Sequence, residues 1–114
     1  MDTFKIKAVI AAAETGSLSQ AAERFSYTPS AFSHMLSSFE DELGVRIFRR
    51  SSRGVSLTEE GKKIYPDLLR IAEAERGLLL SVRSTLDNQK YALRIATYSR
   101  DEQVLITEND VWVL

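Results

Sequence analysis

The sequence predicts a mainly α-helical fold, in which three short helices and a two-stranded hairpin precede one long helix. Three observations predict it. Apolar residues recur at helical spacing from residue 3 to residue 43, and two short extended segments flank a Ser-Ser-Arg-Gly turn at 51–54. Helical spacing then resumes after Thr58 and continues to about Asp87. A chain of 114 residues has room for one small domain and an appendage.

The first two helices are delimited by capping residues. The first is predicted from about Thr3 to Thr15, because Gly16 suits a left-handed C-terminal cap. The second is predicted from Leu18 to Phe25. Ser17 precedes it and Gln20 follows three residues later, which is the pattern of a capping box.

The third predicted helix, Thr28 to Leu43, has two faces of different chemistry. Thr28 suits the N-cap and Pro29 the first helical position, where a missing N–H costs nothing. The apolar face is predicted to be buried and consists of Phe32, Met35, Leu36, Phe39 and Leu43. The other face carries the short polar side chains of Ser30, Ser33, His34, Ser37 and Ser38. An ordinary solvated face usually carries Lys and Glu, whereas small donors and acceptors can approach a DNA base edge or phosphate closely.

The link between the second and third helices indicates how they pack. Only residues 26–28 separate the two helices, so they must meet at a steep angle around shared apolar residues. The small side chains of Ala21 and Ala22 allow such a close crossing. This is the pattern of a helix-turn-helix, which presents its second helix to a groove of DNA.

A hairpin follows the helix-turn-helix. Gly44 ends the third helix, residues 45–50 are predicted to be extended, and Val55 to Leu57 returns as a second strand. Such a wing carries Arg53 at its tip, where arginine can enter a minor groove or bind phosphate. The alternative is a surface arginine without a partner, and the neighbouring helix favours the binding role.

The long helix is predicted from Thr58 to about Asp87, with Glu59 and Glu60 at its positive end. Its apolar residues follow alternating steps of three and four, at Tyr65, Leu68, Ala72, Leu79, Val82 and Leu86. The apolar stripe is wider than one small domain can cover, so these residues are predicted to pair with a partner helix. A helix folded back on its own domain is the alternative, but this helix overshoots such a domain.

The C-terminal segment is the least defined. Residues 88–90 are typical of a hinge, and the alternation at 91–98 predicts a strand. Residues 103–107 and 111–114 are either further short strands or a frayed tail. The predicted domains are therefore a DNA-binding domain at 1–58, a linker or dimerisation helix at 58–87, and a hinge with a short β or disordered tail at 88–114.

Charge distribution matters more here than the formal net charge of −1, which by itself argues against nucleic acid. Four acids and no base lie in residues 101–114, and without them 15 basic residues face 12 acidic ones. Residues 46–53 contain Arg46, Arg49, Arg50 and Arg53 with no acid among them. A local basic patch of this kind is compatible with DNA binding.

Several classes of protein are excluded by what the sequence lacks. Zero cysteines exclude a disulfide framework and a thiolate zinc finger. One histidine, with no paired carboxylates, glycine-rich phosphate loop or nucleophile elbow, predicts no enzyme, no metal and no cofactor. No apolar run is long enough for a membrane span and no signal-peptide pattern is present, which predicts a cytoplasmic protein without membrane partners.

Residues 17–61 resemble the DNA-binding domain of LysR-type transcriptional regulators. The residues that carry the resemblance are Ala21-Ala22, Ser33, Leu36, Glu40, Leu43-Gly44, Phe48 to Arg50, Arg53, Leu57-Thr58 and Gly61. The resemblance implies a homodimer, or a tetramer in a full-length form, that reads an inverted repeat and pairs through the long helix. It also implies that 91–98 begin an effector domain, of which this chain holds too little to bind a small-molecule ligand. Pro29 and Ser30 depart from the family pattern, which leaves the bases read at the helix start open.

The predicted partner is double-stranded DNA. The residues predicted to contact it are Thr28, Pro29, Ser30, Ser33, His34, Ser37, Arg50 and Arg53. Glu40, near the end of the third helix, is predicted to be a structural partner for a nearby basic residue. The alternative function is a dimerisation-only module that pairs with full-length regulators through residues 58–87 and does not read DNA itself.

Overall fold

The computed structural model describes the backbone of residues 1–98 and the side chains of residues 1–89. The elements in chain order are α1 (Thr3–Thr15), α2 (Leu18–Arg24), α3 (Pro29–Leu43), β1 (Phe48–Ser51), β2 (Gly54–Leu57) and α4 (Glu59–Tyr98). The predicted fold class is confirmed, since three helices and a two-stranded hairpin precede one long helix. Tail segments 103–107 and 111–114, predicted as strands or a frayed tail, lie outside the described residues.

The first helices begin and end at the predicted caps. Gly16 adopts the left-handed conformation at φ 67° and its N–H donates to Ala12 O at 2.9 Å. Ser17 Oγ accepts a hydrogen bond from Gln20 N at 3.2 Å. Thr28 Oγ1 accepts one from Ala31 N at 3.1 Å, with Pro29 as the first helical residue. Each of these caps satisfies backbone groups that the helix itself leaves unpaired.

The core lies where α1, α2, α3 and the start of the hairpin meet. Its largest fully buried side chains are Phe32, Phe39, Ile6, Leu36, Ile47 and Val9. Ala21 and Ala22 have no exposed area, which confirms the predicted close helix crossing. Leu43 is 38% exposed instead of buried, because it is the last residue of α3 and the chain turns away at Gly44.

Aromatic rings hold the turn between α2 and α3. Phe4 and Phe25 pack edge to face at a centroid distance of 5.3 Å, and Tyr27 packs edge to face on Phe32 at 6.4 Å. Tyr27 N also donates to Ala22 O at 3.0 Å. The rings and this backbone bond together set the angle at which α3 leaves the turn.

The hairpin, residues 48–57, pairs antiparallel with Phe48 opposite Leu57 and Ser51 opposite Gly54. Ser52 and Arg53 therefore form its two-residue tip. β1 begins three residues later than the predicted start at residue 45. The reason is that the backbone at 46 and 47 bonds to neighbours outside the hairpin, namely Thr58 and Glu40.

Helix α4 continues to Tyr98, so the hinge predicted at 88–90 and the strand predicted at 91–98 are wrong. No glycine or proline follows Gly77 before Tyr98, and residues 92–96 include the strong helix formers Ala, Leu and Arg. An alternation over eight residues is too short to override that preference. No helix within residues 1–98 is long and apolar enough to span a bilayer.

The chain divides into two compact units. The first, Met1–Glu75, contains the three short helices, the hairpin and the start of α4. The second begins at Arg76 and continues α4 through Tyr98. The predicted domain limits at residues 58 and 87 stay predictions.

Candidate DNA-binding surface

The polar face of α3 is open to solvent along most of its length. Thr28, Pro29, Ser30 and His34 are exposed, while Ser33 and Ser37 are partly buried. We call these six residues the reading face. The Thr28 hydroxyl oxygen is already an acceptor in the N-cap, which leaves its O–H free to donate. The face presents small polar groups with no carboxylate among them, as a groove lined by phosphates requires.

The hairpin adds a cationic side chain to the reading face. Arg50 lies on β1, and its Nη1 donates to Ser33 Oγ on α3 at 2.6 Å. Both residues were predicted to contact DNA, but sequence reasoning did not bring them together. The bond places a guanidinium beside the small side chains of α3.

The other three arginines of the hairpin region are also exposed. Arg53 is exposed at the tip, where its backbone N–H donates to Ser51 Oγ at 3.2 Å. Arg49 is exposed on β1, and Arg46 is 73% exposed just before it. All four arginines at 46–53 are thus exposed, but Arg49 and Arg50 are adjacent on β1 and therefore lie on opposite faces of the hairpin. Arg46 and Arg49 were not among the predicted contacts, although the charge count contained both.

Glu40 fixes the start of the hairpin to α3. Its side chain is 6% exposed, and Oε2 accepts hydrogen bonds from Ile47 N at 2.7 Å and Phe48 N at 3.0 Å. Arg46 Nη1 lies 3.9 Å from Oε1. Glu40 is therefore structural, as predicted, but its closest partners are backbone amides rather than a basic side chain.

Two further backbone contacts orient the hairpin. Val55 N donates to Gly16 O at 3.1 Å, which joins β2 to the end of α1. Thr58 N and its hydroxyl both donate to Ile47 O, at 2.9 and 3.3 Å. The position of the arginines relative to α3 is thus set by hydrogen bonds at both ends of the hairpin.

Comparison with known proteins identifies this arrangement. The family described as "Bacterial regulatory helix-turn-helix protein, lysR family" matches residues 4–62, slightly more than half of the chain. This chain belongs to the LysR family. The matched residues include the whole reading face and the hairpin.

Curated relatives in the LysR family are longer than this chain. The transcriptional regulator DsdC of Escherichia coli is 37% identical over 100 residues, which are 88% of this chain and 29% of DsdC. An uncharacterized HTH-type regulator of Azotobacter vinelandii is 41% identical over 88 residues, which are 77% of this chain and 58% of that protein. The chain thus spans 29% of the length of one of these relatives and 58% of the length of the other.

Solved structures confirm the winged helix-turn-helix fold of this LysR-family chain. The crystal structure of the CbnR DBD–DNA complex matches with a TM-score of 0.68 at 31% identity, over 74% of this chain and 97% of that one. A BenM DBD complex with benA site 1 DNA matches with a TM-score of 0.69 at 23% identity, which shows the fold alone. The coverage of the CbnR domain extends the match beyond the reading face and hairpin into α4.

The residues predicted for dimerisation separate into two groups. Leu68 is 4% exposed within the core of the first unit, and Ala72 packs against that core, so both serve their own domain. Tyr65 is partly buried, and burial together with the nearby Glu14 raises the pKa of its hydroxyl. Leu79, Val82 and Leu86 are 56%, 46% and 52% exposed. The sequence pattern could not separate these groups. Apolar residues that face their own core and apolar residues that face a partner helix recur with the same helical spacing.

One basic residue beside the reading face was not predicted as a contact. Lys5 on α1 lies with Nζ 3.5 Å from Ser38 Oγ, at the edge of α3. The Lys5 Nζ also lies 3.8 Å from Glu42 Oε1, whereas Lys7, two residues later, is paired with Glu75 at 2.8 Å. Only their different packing distinguishes the two lysines, and composition gives no signal of it.

Proposed function

We propose that this chain is a sequence-specific DNA-binding transcription regulator of the LysR type, acting as a homodimer on an inverted repeat. The observation that carries the proposal is the carboxylate-free reading face of α3, with the Arg50 guanidinium bonded to it at 2.6 Å. The match to a family member solved with DNA supports it. In this proposal α3 enters the major groove, and the hairpin lies on the minor groove or the backbone.

The proposed contacts differ in role. Thr28, Pro29, Ser30, His34 and Ser37 face base edges or nearby phosphates, since short side chains let α3 approach closely. Arg50 and Arg53 supply charge from the hairpin. His34 is exposed, and its ring nitrogens can donate or accept hydrogen bonds in the groove.

The dimer is proposed to form through Leu79, Val82 and Leu86. Three exposed aliphatic side chains at helical spacing, next to exposed Leu78 and Leu80, form an apolar strip on α4. A helix with such a strip buries it most simply against a second copy of itself.

The test is selection of duplexes from a random pool, followed by affinity measurements over a range of salt concentrations. We expect an inverted repeat with half-sites about one helical turn apart and a steep decrease of affinity with salt. Arg53→Ala should weaken binding to all sequences and lower the salt slope by about one per subunit. Arg70→Ala on α4, where the arginine is paired with Asp67, is the matched control and should leave the slope unchanged.

A second candidate is a dimerisation module that does not read DNA, favoured by the apolar strip at 78–86. The same selection separates the two. No enriched sequence and a shallow salt slope, together with a dimer in sedimentation, would support the module and contradict the regulator.

A further inference from the structure

We infer that Ser33 is a positioning residue for Arg50, and that Arg50 acts as part of the reading face rather than as part of the hairpin tip. This inference rests on the proposed function, since it assigns roles within the DNA-binding surface. It changes the role predicted for Ser33, which was a direct contact to base or phosphate.

The geometry assigns the Ser33 oxygen to Arg50. The two residues are 17 apart in sequence, yet Nη1 donates to Oγ at 2.6 Å, a short bond from a charged donor to a neutral oxygen. Ser33 is partly buried, whereas Arg50 is exposed. The serine is therefore recessed between α3 and β1, with the guanidinium further out.

The other N–H donors of the Arg50 guanidinium are available to bind DNA. A guanidinium has five N–H donors, so one bond to Ser33 leaves four that can bind phosphate or a guanine edge. Arg50 pairs with Val55 in the hairpin, two residue pairs away from Phe48 and Leu57. At that end of the hairpin, Phe48 N donates to the Glu40 carboxylate. The backbone of Arg50 is thus held from one side and its guanidinium from the other.

Fixing the guanidinium before binding favours complex formation. A free arginine loses side-chain freedom when it engages a phosphate or base, and that loss weakens the net interaction. In this protein part of the loss already occurs on folding, because the Ser33 bond restricts the side chain. Ser33 then raises affinity without itself adding a charge or a phosphate contact.

A double-mutant cycle on the full chain tests the inference with the selected duplex. Ser33→Ala should weaken binding about threefold to tenfold, with the salt slope unchanged because the Arg50 charge persists. Arg50→Ala should lower the slope by about one per subunit. In the Arg50→Ala background, Ser33→Ala should cause no further loss. In the chain that retains Arg50, Ser33→Thr keeps the hydroxyl and should keep most of the wild-type affinity. An equal loss from Ser33→Ala in both backgrounds would overturn the inference, because Ser33 would then contact DNA directly.

A measurement without DNA separates this inference from the proposed function. Nitrogen-15 NMR of the Arg50 guanidinium in the free protein should give a shifted resonance with restricted rotation, and Ser33→Ala should abolish both features. Ser38→Ala removes a hydroxyl from α3 that is not bonded to Arg50 and should change neither. An Arg50 signal unaffected by Ser33→Ala would overturn the inference even if DNA binds. If Ser33→Ala changes the Arg50 signal but the protein selects no duplex, the proposed function is contradicted. The inferred bond between Ser33 and Arg50 is then still supported.

Discussion

At the scale of single residues, the buried carboxylate of Glu40 fixes the start of the hairpin to α3. It accepts hydrogen bonds from two consecutive backbone amides, Ile47 N and Phe48 N. Ile47 precedes β1 and Phe48 is its first residue, so no partner strand could accept hydrogen bonds from these amides in place of the carboxylate. Loss of this side chain would leave two buried donors without a partner, which is costly because their hydration is not recovered.

Glu40→Ala is therefore expected to lower the free energy of unfolding by about 2–4 kcal/mol, measured by urea denaturation. Glu40→Gln keeps one acceptor oxygen and should lose less. Asp41→Ala changes an exposed neighbouring carboxylate and should stay within about 0.5 kcal/mol of wild type. Equal stabilities for Glu40→Ala and Asp41→Ala would contradict the assigned role.

Gly54 is required by both conformation and space. Its φ is +125°, and a Cβ there would lie 2.2 Å from Gly16 O, the atom that binds Val55 N. Gly54→Ala should cost at least about 1–3 kcal/mol in urea unfolding, because either the backbone strain or the β2–α1 bond must be relieved. Gly77→Ala, in open space on α4, should instead stabilise by about 0.5–1 kcal/mol. A shift of the same sign for both variants would argue against this explanation.

At the scale of elements, Glu75 joins α4 to α1. Thr3 Oγ1 donates to Glu75 Oε2 at 2.6 Å, and Lys7 Nζ lies 2.8 Å from Oε1. Two hydrogen bonds hold the pKa of Glu75 below its ordinary value of 4.5. The bond to Lys7 makes the larger contribution and the bond to Thr3 the next largest. Because the folded pKa is the lower one, the stability from this group is present above the ordinary value and is lost as the pH falls through the folded value.

Glu75→Gln should consequently be less stable than wild type at pH 7, and the difference should be smaller at pH 3 than at pH 7. The effect is measured as the difference between the urea midpoints of Glu75→Gln and wild type at each of the two pH values. The other carboxylates that titrate in this range are present in both proteins, so their contributions cancel in the difference. Asp41→Asn removes the charge of an exposed carboxylate on α3 and should stay close to wild type at both pH values. A difference between Glu75→Gln and wild type that is constant from pH 7 to pH 3 would contradict the role of the charge.

The elements also show what could be predicted from this sequence. The limits of α1 and the start of α3 were predictable because Gly16 and Thr28 act locally, through caps within four residues. The continuation of α4 through residues 88–98 was missed, because the short alternation at 91–98 was interpreted as a strand although no glycine or proline interrupts residues 78–98. The bond between Ser33 and Arg50 depends on how the hairpin docks, which backbone contacts far apart in sequence determine.

At the scale of the whole molecule, a net charge of −1 has to be reconciled with a polyanionic partner. The four arginines at 46–53 provide the local attraction, and a dimer would present two such surfaces to one duplex. Tethering two modest half-site contacts raises the affinity for a full site by about 10²–10⁴-fold without any new contact. The apolar strip of α4 and the reading face of α3 are therefore expected to act together in the regulator.

Leu79→Asp tests this coupling. A carboxylate placed where Leu79 is 56% exposed should prevent burial of the strip, so sedimentation should detect a monomer. The variant should keep its half-site affinity, while its preference for the full inverted repeat over one half-site should fall from about 10²-fold or more to near unity. Ser84→Asp introduces the same charge on the opposite side of α4 at an exposed position, and should remain dimeric with the full-site preference intact. Both variants add one negative charge to α4, so a loss of preference confined to Leu79→Asp would be attributed to the lost dimer. A dimeric Leu79→Asp would exclude the strip as the interface.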